Sequence, residues 1–103
     1  MEIINSSQFE EKTAEGLVLI DFYADWCGPC KMLAPELEKV SEELADQLKI
    51  YKVNVDDNME LARKFNVVSI PNLVLFKDGE PISQTMGFQP KDKLIEFINK
   101  EIQ

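Results

Sequence analysis

The sequence predicts an α/β protein in which a mixed five-stranded sheet is flanked by four helices. Short apolar runs, typical of buried strands, alternate with segments whose apolar residues recur every three or four positions, as in amphipathic helices. The order strand, helix, strand in the first half implies parallel strands with a right-handed connection. A tight turn at Asp78-Gly79 implies an antiparallel hairpin in the second half, so the predicted sheet is mixed.

The first strands and the first helix are predicted from local patterns. A short apolar start at residues 3–4 is followed by Ser6 and Ser7, which are candidate caps for a short helix over residues 9–13. Residues 17–23, LVLIDFY, are nearly continuously apolar, which is typical of a strand buried on both faces.

A long amphipathic helix follows the stretch WCGPC at residues 26–30. Its apolar residues recur from Leu33 to Leu48. Pro29 suits the first turn of this helix, where a missing N–H costs nothing, whereas Pro35 lies inside the pattern and should bend the helix.

The rest of the chain continues the alternation. Residues 49–55 are predicted to form a second buried strand and residues 59–65 a short helix. The hairpin then pairs residues 73–76 with residues 81–86, and a final helix begins at Pro90 and buries an apolar face.

Length and charge limit the possible functions. At 103 residues with 45% hydrophobic residues, we expect one domain spanning residues 1–103, and we expect a monomer. The net charge of -8 disfavours nucleic acid and anionic membranes as partners. No basic leader precedes an apolar stretch and no apolar run could span a bilayer, so we expect a cytoplasmic protein without membrane attachment.

Both cysteines of the chain, Cys27 and Cys30, lie in WCGPC, and the chain contains no histidine. Two cysteines are too few for the disulfide framework of a small secreted protein, so a structural staple is a weaker alternative. A zinc site needs four ligands, usually Cys or His, so a metal site is weaker still and we expect no bound metal. Redox chemistry is the favoured interpretation.

The spacing suits a reversible disulfide. Residues three apart in a helix lie about 5–6 Å from each other, within the range that a disulfide accepts. Cys27, at the start of the helix, faces the positive end of the helix dipole, which lowers a thiol pKa and predicts the attacking sulfur. Cys30 should be more buried and slower to ionise, which predicts the resolving sulfur.

A C-x-x-C pair beside a β-α-β pattern is an established signature of thioredoxin-like redox motifs. The stretch DFYADWCGPCK, the later SIPN followed by LVLFKDG, and the MG before the last helix occur here in the order and spacing of the thioredoxin family. The chain resembles this family from end to end. The resemblance implies the thioredoxin fold and a protein-disulfide oxidoreductase that acts as a redox carrier.

The resemblance also implies roles for individual residues. It makes Cys27 the nucleophile, Cys30 the resolving thiol and Pro71 a cis proline opposite the pair. The backbone of Ile70 would pair with an extended segment of a client protein. The implied client-contact surface consists of seven residues: Trp26, Gly28, Pro29, Ile70, Pro71, Met86 and Gly87.

Two charged residues interrupt predicted buried strands. Asp21 and Lys52 would ordinarily mark strand ends that reach solvent. The resemblance instead places Asp21 beneath the redox pair, as a proton relay for Cys30 through water, with Lys52 near it to tune the carboxylate.

The sequence also departs from the family pattern at three places. Tyr23 stands where a second tryptophan is usual, Asn72 replaces the usual threonine after the proline, and NVVS precedes Ile70 in place of GIRG or GIRS. These departures leave the redox pair intact and alter the predicted client-contact surface.

The leading functional hypothesis is a general protein-disulfide reductase for disulfide-containing clients. It would have no bound cofactor and would be recycled by a thioredoxin reductase, with electrons ultimately from NADPH. An oxidase or isomerase on the same fold is the second hypothesis, but Gly28 and Pro29 place no histidine between the cysteines, which favours a reductant. The third is a binding module whose thiols are incidental to a larger assembly.

Overall fold

The computed structural model of the protein describes residues 1–102. In chain order, its elements are β1 (Glu2–Ile3), α1 (Ser6–Thr13), β2 (Leu17–Tyr23), α2 (Gly28–Glu43), β3 (Leu48–Asn54), α3 (Met59–Lys64), β4 (Asn72–Lys77), β5 (Glu80–Met86) and α4 (Lys91–Ile102). No helix within these residues is both long and apolar enough to cross a bilayer.

The five strands form one mixed sheet in the order β1-β3-β2-β4-β5. Strand β3 runs parallel to both β1 and β2, while β4 runs antiparallel to both β2 and β5. The predicted fold class is therefore confirmed. The central position of β2 matters for function because this strand leads directly to the cysteine pair.

The side chains of β2 point alternately to the two faces of the sheet, and each face is covered by its own part of the core. Leu19 packs with the apolar residues of α2 and α4, whereas Val18, Ile20 and Phe22 pack with those of α1 and α3. Because side chains on a strand alternate between faces, Asp21 shares the face of Leu19, beneath α2.

Helix α1 begins earlier than predicted and has a different cap. Asn5 Oδ1 accepts hydrogen bonds from the backbone N–H groups of Ser7 and Gln8, at 3.0 and 3.2 Å. Gln8 Oε1 accepts the N–H of Asn5 at 3.0 Å, which completes a capping box. The prediction of Ser6 and Ser7 as caps was wrong, because the helix already includes both.

Helix α2 continues through Pro35 but ends at Glu43, before the predicted limit. Leu44 leaves the helical conformation, with φ -109° and ψ 24°. Leu48 keeps the apolar spacing of the helix but belongs to β3, where it pairs with Leu17. The prediction placed Leu48 in the helix because it follows Leu44 by four residues, which is the spacing of one helix face, although the strand has already begun there.

Candidate active site

The cysteine pair lies where β2 passes into α2. Cys27 is the N-cap of α2, and its Sγ atom accepts a hydrogen bond from the N–H of Cys30 at 3.2 Å. The two Cα atoms are 5.3 Å apart and the two residues form a disulfide. The spacing of the motif therefore places the two sulfurs within bonding range, as predicted.

The position of Cys27 would activate its thiol after reduction. The N–H groups in the first turn of a helix lack partners within the helix and carry partial positive charge, which favours a thiolate over a thiol. Cys27 meets this environment directly because the N–H of Cys30 points at its sulfur.

Burial does not distinguish the two cysteines, contrary to the sequence-based prediction. Cys27 and Cys30 are each only 4% exposed. Val55 and Ile70 pack against the cluster that contains both cysteines, which covers Cys27 as well as Cys30. The chemical difference between the sulfurs therefore rests on their positions relative to the helix start.

The loop before β4 lies against the cysteine pair. The peptide bond between Ile70 and Pro71 is cis, as the family resemblance implied. The carbonyl oxygen of Ile70 lies 3.9 Å from Cys27 Sγ. The carbonyl of Pro71 accepts the N–H of Gly87 at 2.8 Å, which connects this loop to the end of β5.

The predicted client-contact surface divides into exposed and buried parts. Trp26 is 69% exposed and Met86 is 58% exposed. Gly28 and Pro29 are exposed, Ile70 and Gly87 are partly buried, and Pro71 is buried, so Pro71 shapes this surface rather than offering much of it. Ser69 links the loop to Met86, since its hydroxyl lies 3.0 Å from the methionine sulfur.

Two further residues lie in this region: Asp56, which no sequence pattern singled out, and Val68, which belongs to the NVVS stretch that departs from the family pattern. Asp56 Oδ2 accepts a hydrogen bond from Trp26 Nε1 at 2.8 Å, which fixes the orientation of the exposed indole ring. Val68, two residues before Ile70, is 90% exposed. Val68 could have been predicted as a surface contact because it is an apolar residue in the loop before the proline. No local pattern indicated that Asp56 pairs with Trp26.

Asp21 is a fully buried carboxyl group. Its exposed fraction is 0%, and within residues 1–102 neither carboxylate oxygen receives a hydrogen bond. Burial raises the pKa of Asp21 from 3.8 to about 7, and the positive charge of Lys52 partly opposes this rise. The alternative interpretation of Asp21 as a solvated strand end is therefore wrong.

Lys52 faces Asp21 across the parallel pair of β2 and β3, where the two residues are register partners. A cavity of about 250 Å³ opens beside Lys52 and is lined by residues from three elements and the loop that follows β2: Tyr23, Ala24, Asp25, Cys30, Lys31, Ala34 and Lys52. The structure thus places Lys52 and Cys30 on the wall of the same cavity.

The sequence and the fold of this chain are similar to those of known proteins. The family model for thioredoxin matches residues 1–100. The thioredoxin of Bacillus subtilis is 52% identical over 94 residues, covering 91% of this chain and 90% of the relative. That of Listeria monocytogenes is 50% identical over 99 residues, covering 96% of each. The solved structure of a mutant thioredoxin from Halobacterium salinarum has a TM-score of 0.90 at 36% identity, covering 99% of this chain and 90% of that chain.

The fold and the cysteine pair define a protein-disulfide oxidoreductase that works by thiol-disulfide exchange. The chain belongs to the thioredoxin family.

Proposed function

We propose that this protein is a general protein-disulfide reductase, recycled by a thioredoxin reductase that draws its electrons from NADPH. It would act in the cytoplasm as a monomer, as one domain over residues 1–103, with no bound cofactor. The observation that carries the proposal is the disulfide at the start of α2, which lies against the carbonyl of Ile70 and beside the exposed ring of Trp26.

The reaction starts from the reduced protein. The Cys27 thiolate attacks one sulfur of a client disulfide, so a Cys27–client bond forms and the client bond breaks. The second client sulfur leaves as a thiolate and takes up a proton. Cys30 then loses its proton and attacks Cys27 Sγ, which breaks the Cys27–client bond and releases the first client sulfur as a thiolate that takes up a proton. The client gains two electrons and two protons, and the Cys27–Cys30 disulfide of the structure remains.

Asp21 is the proposed acceptor for the proton of Cys30. A carboxyl group with a pKa of about 7 exchanges protons readily near neutral pH, which suits a general base. Within residues 1–102 the carboxylate accepts no hydrogen bond, and water in the cavity lined by Cys30 and Lys52 is the proposed carrier of the proton. Lys52 is proposed to tune the basicity of Asp21 through its positive charge.

The loop before Pro71 and the ring of Trp26 are proposed to hold the client. The Ile70 carbonyl, beside Cys27 Sγ, would accept a hydrogen bond from an extended client backbone. The exposed apolar side chains of Trp26 and Met86 would accommodate varied side chains, which suits a reductase with varied clients.

Reduction of insulin, coupled to NADPH oxidation through a thioredoxin reductase, tests this function. The wild type should sustain NADPH consumption and precipitate the insulin B chain, whereas the variant with both Cys27→Ser and Cys30→Ser should do neither. If the wild type accepts electrons from the reductase but leaves insulin oxidised, a general client range is ruled out. If it oxidises reduced client thiols faster than it reduces disulfides, the protein is an oxidase.

A further inference from the structure

Lys52 contacts an aromatic ring, although an oppositely charged group is its partner in the sheet. Its Nζ atom lies 4.1 Å from the ring centroid of Tyr23, well within the range of a cation–π interaction. Within residues 1–102, no ion pair of 4.0 Å or less involves Lys52, and neither oxygen of Asp21 receives a hydrogen bond. The ammonium group therefore lies on the ring and not on the carboxylate.

The sheet explains why these two positions compete for the same ammonium group. Asp21 and Tyr23 lie two residues apart on β2, so their side chains project from the same face. Lys52 pairs with Asp21 on β3 and projects from that face too. A lysine side chain is long and flexible enough to reach either neighbour. Tyr23 is only 7% exposed, so its ring is held in place by packing.

We propose that Tyr23 is a positioning residue whose ring holds the Lys52 ammonium group away from Asp21, so that the buried carboxyl group has no ion-pair partner. A direct ion pair would stabilise the carboxylate and make it a weak proton acceptor. With the ammonium group on the ring, Lys52 acts only through space. The protein thus keeps a positive charge near the proton route without neutralising the proposed base.

The other groups around Asp21 do not replace this effect. On β4, the register partner of Asp21 is Leu73, which carries no charge. From α2, the two cysteines do not titrate while they form the disulfide. Lys31 of α2 lines the same cavity as Lys52, but Lys52 is the charge that acts on the pKa of Asp21.

The ring of Tyr23 stays neutral near pH 7. Burial raises the pKa of its hydroxyl group, and the negative charges of Asp25, Asp21 and Asp57 raise it further, which outweighs the opposing hydrogen bond with Asn54. A neutral ring binds the ammonium group through its π face, so the position of Lys52 does not depend on ionisation of the tyrosine.

The test measures the pKa of Asp21 by carboxyl carbon NMR in the oxidised protein. Tyr23→Leu and Tyr23→Met remove the ring, so Lys52 can reach Asp21, and the pKa of Asp21 should fall by about 1–3 units, as expected for a carboxylate next to a cation. Tyr23→Phe and Tyr23→Trp keep an aromatic face and should leave the pKa near its wild-type value. Amide NMR spectra establish that each variant is folded.

A double-mutant cycle separates this effect from hydration. Loss of the ring could also admit water, which would lower the pKa of Asp21 whether or not Lys52 is present. In the Lys52→Met background, Tyr23→Leu should therefore change the pKa little. A fall of equal size with and without Lys52 would overturn the proposal, as would an unchanged or raised pKa in both Tyr23→Leu and Tyr23→Met.

The kinetic consequence rests on the proposed role of Asp21 as a proton acceptor. In single-turnover client reduction, the pH midpoint for the step that resolves the mixed disulfide should shift downward with the pKa of Asp21 in Tyr23→Leu. If the NMR pKa shifts only when Lys52 is present and the midpoint does not shift, Tyr23 positions Lys52 as proposed and the proton relay is wrong. If the NMR pKa does not shift, the positioning role itself is wrong.

Discussion

The Sγ atom of Cys27 lies 3.9 Å from the carbonyl oxygen of Ile70, although the two residues are 43 positions apart in the chain. The sulfur predicted to attack the client and the backbone predicted to hold it thus meet at one point on the surface. A client strand that pairs with Ile70 would bring its disulfide close to Cys27, so binding would also help to position the reacting sulfurs.

The two cysteines should respond differently to substitution. Cys30→Ser should leave Cys27 able to attack, so a long-lived mixed disulfide with the client should accumulate. Cys27→Ser should abolish both capture and turnover, since Cys30 lacks the N-cap position. Nonreducing electrophoresis with mass spectrometry of the adducts measures this difference. Capture through Cys30 in Cys27→Ser, without capture through Cys27 in Cys30→Ser, would reverse the assigned roles.

Asp21 should make the protein less stable as the pH rises. Its pKa is 3.8 in the unfolded reference and about 7 in the folded protein, so the unfolded state loses its proton first. As far as Asp21 is concerned, the free energy of unfolding is highest below pH 3.8 and falls as the pH rises through about 7. At about 1.4 kcal/mol per pKa unit, the loss amounts to about 4 kcal/mol.

Urea unfolding of Asp21→Asn measures this effect. The free energy of unfolding of the variant relative to wild type should increase by about 4 kcal/mol between about pH 3.5 and about pH 8.5. Glu42→Gln removes an exposed carboxylate and controls for the change in net charge. A difference between Asp21→Asn and wild type that stays constant across this range would contradict the raised pKa. Resolution of the mixed disulfide should also be slower in Asp21→Asn.

Asp56 should act on client binding through Trp26. Asp56→Ala removes the acceptor of the indole N–H and frees the ring to rotate. We expect the KM for a peptide client to rise by about 2- to 10-fold, since such a hydrogen bond contributes about 0.5–1.5 kcal/mol. The kcat should change little. Asp57→Ala removes a neighbouring exposed carboxylate as the matched control, and an equal KM effect in both variants would indicate net charge as the cause.

Asn5 should stabilise the fold without affecting catalysis. Asn5→Ala removes the acceptor for two backbone N–H groups of α1 and should lower the free energy of unfolding by about 1 kcal/mol. Asn5→Ser should retain most of the stability, and Glu10→Ala provides a control inside the same helix. Thermal unfolding measures the loss. If Ser7 or Ser6 were the true cap, alanine at one of those positions would cost more than alanine at Asn5.

The sequence by itself determined the order of the elements and the chemistry of the redox pair. Periodicity of apolar residues is a local property, so the strand over residues 17–23 and the helix after WCGPC were predicted within a few residues. The spacing of Cys27 and Cys30 is also local, because one helical turn brings them within disulfide range. The local patterns gave the wrong boundary at Asn5, where several capping residues follow one another, and at Leu48, which suits both a helical repeat and a strand.

What surrounds the pair depends on the tertiary structure and not on any local pattern, and for Pro71, Asp21 and Lys52 only the family resemblance had implied it. The meeting of Ile70 with Cys27 and of Asp56 with Trp26 depends on chain segments brought together by the sheet, and no local pattern encodes such contacts. The same holds for Lys52, which the composition of β3 alone would have placed in solvent. Parallel pairing of β2 with β3 brings Lys52 beside Asp21, and burial under α2 then raises the pKa of that carboxyl group.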